Sequence, residues 1–462
     1  VEIQAAGCRR AGYREERVLH PRLQDELGAS LNGMNAVMKM TPLIVLLGLV
    51  ALPTAAVAQD ELRDDRVVLE RETSNQQTMS ETAYKRLGAI HELMGENQNA
   101  EAMQKAQAML GSSRLNGYEK ALIYQTIGFI YANDSKYKDA IEYFEKSIGE
   151  NALTPDAQQG MLYSLAGLYM AQSQYRKAID TAREWFKYEA DPPGDAYMLI
   201  GSSFAQMEDY RSALPYVEKA ISLSEKPQEP WYQLNLAVYF ETDQIAKAVP
   251  LLQKMIQYWP EKKTYWDTLY GAHMKLGQDQ QALSTLMVAY RKGLVEEEDK
   301  ILNLVRLNMF LTIPYTAGDI LSAEMAAGRI TRNRKNLELL QSAWTGAQEF
   351  EKSLKIMGEL ADLTGDPKFA IESAKVYNEL TQWENAITSA NKALEQGYKK
   401  RGEAHLLIGT AHTELSQWRA ALNAFKIAAE EGTTVEKQSA AAWIAYVNDR
   451  LQSANRVAAN TT

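Results

Sequence analysis

From Ala121 to Ser147 the chain reads ALIYQTIGFIYANDSKYKDAIEYFEKS, with apolar residues recurring every three or four positions and one polar break at Asn133-Asp134-Ser135. This pattern predicts two amphipathic helices joined by a short turn. Small residues, Gly128 and Ala140, stand at fixed offsets among Tyr131 and Phe144. With Ala140 as anchor, equivalent small residues recur at Ala178, Ala213, Ala248 and Ala282, less cleanly at Gly318 and Ser353, and again at Ala386 and Ala421, in steps of 33 to 38 residues. A weaker unit precedes them around Gly88 and Ala100. A period of this length marks a helix pair that cannot bury its apolar face alone, so successive pairs must stack.

The first-helix glycine or alanine (Gly128, Ala166, Gly201, Gly409) and the second-helix alanine are expected to meet where the two helices cross. A larger side chain there would force them apart at about 1–3 kcal/mol. Tyr137, Tyr175, Tyr210, Phe350, Trp383 and Trp418 each precede a second-helix anchor by three residues, which places them at the start of that helix. Thr154-Pro155, Pro192-Pro193, Pro227, Pro230, Pro260 and Pro367 fall between units, where proline is tolerated. Pro215 and Pro250 lie two residues past their anchors and are read as first-turn prolines. The stretch EKQSAAAWIAYVNDRLQ, with Trp443 and Val447 four apart, reads as a terminal cap with a polar outer face. These offsets resemble the tetratricopeptide repeat, with its W-x2-L-G-x2-Y, A, F and P positions. The expected fold is all-α: a right-handed α-solenoid of about nine to ten helix pairs over residues 80–452, plus a capping helix. Gly318, with Ser353 and Gln341 in the next unit, departs from the pattern and predicts a looser or bent stack between residues 310 and 355.

The N-terminal region has a different character. MKMTPLIVLLGLVALPTAAVAQ, from Met38 to Gln59, has the basic, apolar, A-x-A order of a secretory signal peptide, with cleavage expected after Ala58. An uncleaved membrane anchor is the alternative, although the apolar run is short and Pro53 interrupts its end. Translation from Met34, Met38 or Met40 would make residues 1–33 an over-extended start, with 34–58 the signal peptide, 59–79 a flexible leader and 453–462 a disordered tail. Cys8 is the sole cysteine, so the expected mature chain has no disulfide, thiolate metal site or cysteine nucleophile. Its net charge moves from -9 to -10, which disfavours nucleic acid and anionic lipid; a membrane role would come only through partners.

Sequence chemistry is sparse. The chain holds no phosphate loop, H-E-x-x-H, G-x-S-x-G or C-x-x-C, so no catalytic residue, metal site, cofactor or small-molecule substrate is expected. His91, His273 and His412 occupy the tyrosine position of their repeats, where packing accounts for them. His405 and His412 are seven apart on one helical face, without a carboxylate between them to complete a metal site. Ser135 and Lys138 form an S-x-x-K string inside a repeat turn, and Glu296-Glu297-Glu298-Asp299 suits a helix start rather than a calcium site.

A binding surface remains. First helices of such an array line a concave groove, and groove-facing offsets select Gln125, Phe129 and Asn133, then Tyr163 and Met170, then Met198, Ser202 and Gln206. Farther along they select Gln233, Phe240, Asp267, Met274, Asn303 and Phe310. Amides, methionines and aromatics suit adaptable contact with a protein segment, and packing between units is the alternative role for each. The Lys/Asn set that clamps a C-terminal carboxylate in some chaperone cofactors is not apparent.

Four stretches carry a closer resemblance: NGYEKALIYQTIGFIYANDSKYKDAIEYFEKSI, WPEKKTYWDTLYGAHMKLG, IPYTAGDILSAEMAAGRI and KNLELLQSAW. They resemble a family of Gram-negative periplasmic repeat proteins encoded beside TonB, ExbB and ExbD, over about Ser80 to Leu451. The resemblance implies a periplasmic scaffold for energised uptake of iron complexes or other nutrients, with TonB, ExbD or a TonB-dependent receptor as partner and no catalytic residues. A scaffold for envelope or polysaccharide assembly has the same signature, and a regulatory subunit of an enzyme would need a further, non-repeat domain.

Overall fold

The computed structural model describes residues 78–460 and, ahead of them, Leu62, with side chains described to Ser453. The expected start, signal peptide and most of the leader lie outside the described residues. The described chain divides into two compact units, the boundary falling between Leu276 and Gly277.

In unit 1 the helices are α1 (Glu81–Gly95), α2 (Asn99–Leu110), α3 (Gly117–Asn133), α4 (Tyr137–Gly149), α5 (Pro155–Ala171) and α6 (Tyr175–Phe186). They continue as α7 (Gly194–Gln206), α8 (Tyr210–Leu223), α9 (Glu229–Glu241), α10 (Ile245–Tyr258) and α11 (Lys263–Lys275). Unit 2 holds α12 (Asp279–Arg291), α13 (Glu298–Phe310), α14 (Pro314–Ala326), α15 (Arg334–Gly346) and α16 (Phe350–Thr364). It ends with α17 (Pro367–Glu379), α18 (Trp383–Glu395), α19 (Arg401–Glu414), α20 (Trp418–Glu431) and α21 (Thr434–Asn460). In chain order these are ten helix–turn–helix pairs and a final long helix, the all-α repeat architecture expected. The capping helix runs on through 453–460, which the sequence reading left outside the fold.

The repeat is written in the backbone as well as in the side chains. Each first helix gives way to a residue with positive φ: Asn97, Ser135, Ser173, Glu208, Asp243 and Gly277, then Thr312, Gln348, Thr381 and Ser416. At the second of these, Lys136 N–H bonds back to Tyr131 C=O at 2.8 Å and Ser135 N–H to Ala132 C=O at 2.9 Å. This 6→1 closure satisfies carbonyls left over at the helix end. The aromatic two residues later opens the next helix, as expected at Tyr137, Tyr175, Tyr210, Phe350, Trp383 and Trp418.

Ala140, Ala178, Ala213, Ala248, Ala282, Ala386 and Ala421 are all buried. The glycines opposite them do a different job from the one expected. A Cβ on Gly128 would collide with the Phe144 ring, and one on Gly409 would lie 2.5 Å from the Phe425 ring. The first-helix glycine therefore makes room for the aromatic one turn beyond the alanine anchor. At Gly201 the role of that aromatic falls to Val217, whose side chain would lie 2.7 Å from an added Cβ.

Two expectations are corrected. Pro215 and Pro250 are each the sixth residue of their helix, beyond the first turn, so they remove the bonds that would reach Arg211 and Ala246. The residues that follow them, Tyr216 and Val217, and Leu251 and Leu252, are buried, and that burial favours the helix in spite of the missing bond. The stretch 310–355 is not loose either. Trp344 fills the space over Gly318, where a Cβ would lie 2.9 Å from the indole. Thr345 accepts from Gln341 at 3.0 Å and lies 2.7 Å from the buried Ser353 hydroxyl, so the polar substitutions satisfy one another.

At the C-terminus the cap reads as expected: Val447 is fully buried and the Trp443 ring stacks on Phe425 at 5.5 Å and 7°.

Candidate functional site

Within unit 1, first helices of neighbouring pairs touch directly, α1 with α3, α5 with α7, and α7 with α9. In this unit each second helix, from α2 to α10, packs on the first helices before and after it. Three consecutive first helices, α5, α7 and α9, thus present one continuous face.

Along that face Gly167, Ser202 and Ala237 occupy equivalent positions, with Gly271 following on α11. A Cβ on Gly167 or Gly271 would meet nothing within 4 Å, so the face is low there. Around it stand half-buried Tyr163 and Met170, exposed Gln206 and Gln233, and half-buried Phe240 and Asp267. On α3, Gln125 is half-buried and Asn133 exposed, and Phe129 keeps 37% of its surface exposed while its ring meets Phe144 edge-on at 5.0 Å. Asn303 and Phe310 are half-buried on α13 of unit 2, Asn303 accepting from Arg306 at 2.9 Å.

Two predicted contact residues are corrected. Met198 and Met274 share the groove-facing offsets but are buried, at 7% and 8% exposure. The flexible thioether chain folds onto apolar neighbours wherever they are within reach. Met198 does this within the cluster that includes Leu162, Ala166 and Ile200.

Polar groups hold parts of the face in place. Gln233 Nε2–H donates to the Tyr265 hydroxyl at 2.9 Å; that hydroxyl in turn donates to Glu229, which Lys262 approaches at 3.4 Å. Burial, then the Glu229 carboxylate, push the Tyr265 hydroxyl up to about 12. Tyr163 lies 4.9 Å from Trp185, and burial followed by the Asp195 charge raises its hydroxyl. The sequence reading missed this Glu229–Gln233–Tyr265–Lys262 knot, because its two halves, Glu229 with Gln233 and Lys262 with Tyr265, come from neighbouring repeats more than thirty residues apart.

A second clasp recurs between pairs. Tyr169 donates to Glu145 of the preceding helix, with Lys177 at 3.7 Å from that carboxylate and 5.0 Å from the Tyr169 ring. Two pairs later Tyr239 donates to Glu218 at 2.6 Å, with Lys247 at 3.5 Å from the carboxylate and 5.8 Å from the ring. Burial first and the carboxylate second raise both tyrosine hydroxyls, so they stay protonated donors.

His91 and His412 have local partners. His91 lies nearer the surface than packing alone predicts, with Nε2 3.1 Å from the Thr126 hydroxyl. His273 and His405 are buried, and His412 Nδ1 lies 2.6 Å from Gln417 Oε1. Burial lowers the His405 pKa, with the Arg401 charge adding to the shift. Among the described residues no group of three or more His, Cys, Asp or Glu is placed to hold a metal ion, and no helix is long and apolar enough to cross a membrane.

A family model described as tetratricopeptide repeat matches residues 121–152 and 194–227. Over these two segments the chain carries the tetratricopeptide repeat. The first match covers α3 and α4, the second α7 and α8, so the sequence family and the observed helix pairs coincide. Among solved structures, a tetratricopeptide repeat protein from Parabacteroides merdae is 12% identical, over 57% of this chain and 99% of that one, with a TM-score of 0.34. The C-terminal part of a TPR repeat-containing protein from Cytophaga hutchinsonii is 15% identical, over 60% and 95%, at 0.35. YrrB, a TPR protein described as having an unusual peptide-binding site, is 14% identical, over 44% and 94%, at 0.33. No curated protein matches the chain significantly.

Proposed function

We propose that the protein is a non-enzymatic periplasmic scaffold whose first-helix face holds segments of other proteins, as an accessory of a TonB-dependent outer-membrane system for uptake of iron complexes. The observation that carries the scaffold reading is the continuous face of α5, α7 and α9, low at Gly167 and edged by tyrosine, amide and phenylalanine side chains. Such a surface offers apolar contact and hydrogen bonds to an extended or helical segment without prescribing one sequence. The uptake assignment rests on the resemblance of residues 116–148, 259–277, 313–330 and 335–344. The periplasmic assignment rests on the basic, apolar, A-x-A order ahead of Gln59.

The test is in-cell photocrosslinking from exposed positions of the face, Gln206 and Gln233, in cells grown under iron limitation, followed by mass spectrometry of the captured proteins. Recovery of TonB, ExbD or a TonB-dependent receptor from these positions is the expected outcome. Capture of cell-wall or polysaccharide machinery alone would move the function to envelope assembly, and capture of nothing from either position would remove the face as a binding site.

A further inference from the structure

Charge is divided between the helix layers of unit 1. From α5 to α10 every lysine and arginine within a helix lies on a second helix, α6, α8 or α10. The first helices α5, α7 and α9 carry only carboxylates: Asp156, Asp195, Glu229 and Glu241. Asp156, Asp195 and Glu229 stand in the first turn, where the helix dipole favours negative charge and accounts for them. The dipole does not account for the missing cations, because the last turns of these helices, where positive charge is favoured, hold none. Nor does it account for Glu241, the last residue of α9, whose carboxylate lies at the negative end of its own helix.

Glu241 holds on α9 the offset that Gln206 holds on α7, and Asp195 precedes Ser202 by about two turns on the same stripe. Both carboxylates are exposed, and among the described residues neither forms an ion pair. After burial, the Asp195 charge is what raises the Tyr163 hydroxyl, so this carboxylate bears on the face between α5 and α7. Glu229 is different, since Lys262 already approaches it. We propose that the α5–α7–α9 face takes a cationic segment of its partner, with lysine or arginine side chains set against Asp195 and Glu241 and apolar side chains over the low ground at Gly167. Exposed ion pairs of this kind are individually weak and screened by salt, so charge selects among partners while apolar contact holds the segment. An acidic tail is repelled from the same surface. The inference rests on reading this face as a binding surface and adds the chemistry of what lies there; it does not rest on the uptake assignment.

The purified full chain is tested by fluorescence anisotropy with two labelled peptides, one of lysine, alanine and leucine, the other with glutamate in place of every lysine. The lysine peptide should bind about tenfold more tightly, and the difference should shrink as salt rises from about 0.05 to 0.5 M. Asp195→Asn combined with Glu241→Gln should weaken the lysine peptide about fivefold. Asp139→Asn combined with Asp180→Asn, which removes the same charge from exposed positions on α4 and α6, should leave its binding unchanged. Equal weakening by the two double variants would assign the attraction to the net charge of the whole protein and overturn the proposal. A lysine peptide that binds no better than the glutamate peptide would overturn it as well. Capture in cells from Gln206 and Gln233 reads the face whatever the partner's charge. Capture there without a preference for the lysine peptide would keep the binding face and overturn the cationic partner alone, whereas failure of capture would remove the face and this proposal with it.

Discussion

The same contact, a glycine under an aromatic ring, does two different jobs at two places in the molecule. In unit 1, Gly128 on α3 receives Phe144 from α4, its own partner, so the contact closes a pair. In unit 2, Gly318 lies on the second helix α14 and receives Trp344 from α15, the first helix of the next pair. There the contact joins neighbours. Lys352 lies 4.2 Å from the Trp344 ring and 5.0 Å from the exposed Tyr315 ring, extending the joint toward the surface. The repeat thus conserves a close approach between helices, while the pair of helices that makes it can change.

The largest expected effects test that distinction. Phe144→Ala and Trp344→Ala should each cost about 3–5 kcal/mol, since both side chains are buried and each leaves a cavity over a glycine that cannot fill it. The location of the damage should differ. Hydrogen exchange should accelerate in α3 and α4 together for Phe144→Ala, and in α14 and α15 together for Trp344→Ala, because stability in a repeat array is a sum over units and interfaces. If Trp344→Ala accelerates α15 and α16 but leaves α14 protected, the indole belongs to its own pair and the comparison fails.

Acid should separate the units by a smaller margin. In unit 1, buried Glu119 accepts from the Ser80 amide at 2.9 Å and the Ser80 hydroxyl at 2.7 Å, and makes a reciprocal cap with Asn116. Burial pushes its pKa up, but the Ser80 and Asn116 hydrogen bonds outweigh it and leave the carboxyl below its usual range. In unit 2, hydrogen bonds from the Arg329 guanidinium hold the Glu324 carboxyl below the usual range; burial opposes this and the Tyr290 hydroxyl adds to it. Both folded values are depressed, so the stabilisation is present above the unfolded carboxylate pKa of about 4.3 and is lost as pH falls through the folded values. Glu119→Gln should flatten the acid limb for α1 and α3, and Glu324→Gln that for α12 and α14. Urea midpoints of wild type and Glu324→Gln that fall in parallel between about pH 5 and pH 3 would show that this carboxylate carries no acid-sensitive stability.

Much of this architecture was legible in the chain, and the limits of that reading are physical. Helix starts at Tyr137, Tyr175 and Trp418, the buried alanines and the Trp443–Val447 cap follow from offsets within one repeat, where sequence distance and spatial distance agree. Glu119 with Ser80, Tyr290 with Glu324, and Gln233 with Tyr265 did not, because each pair crosses 32 to 39 residues and either member alone reads as a solvated polar side chain. For the candidate face, the offset selected exposed positions at Phe129, Gln206 and Gln233. It failed at Met198 and Met274, since an offset gives direction and leaves open whether a flexible apolar chain folds down onto its neighbours. Gly318 shows the same limit from the other side: a missing methyl in one repeat was compensated by an indole in the next.

The smallest expected effect concerns the turns that set the period in both units. Gly277 opens unit 2 with φ at +67°, whereas the equivalent turn after α13 is made by Thr312 at +60°. A β-branched residue in the left-handed region is strained by about 1–2 kcal/mol, and glycine relieves that strain while adding about 0.5–1 kcal/mol of unfolded-state entropy to be lost on folding. Thr312→Gly should therefore raise the stability of unit 2 by up to about 1 kcal/mol, read as a higher urea midpoint. Ser135→Gly in unit 1 should gain less, because a serine without a β-branch bears the same φ of +60° more easily. An equal gain at the two sites would mean that the backbone alone, without the β-branch, sets the strain of this turn. A loss at Thr312 would mean that its side chain holds the turn through contacts that outweigh the strain.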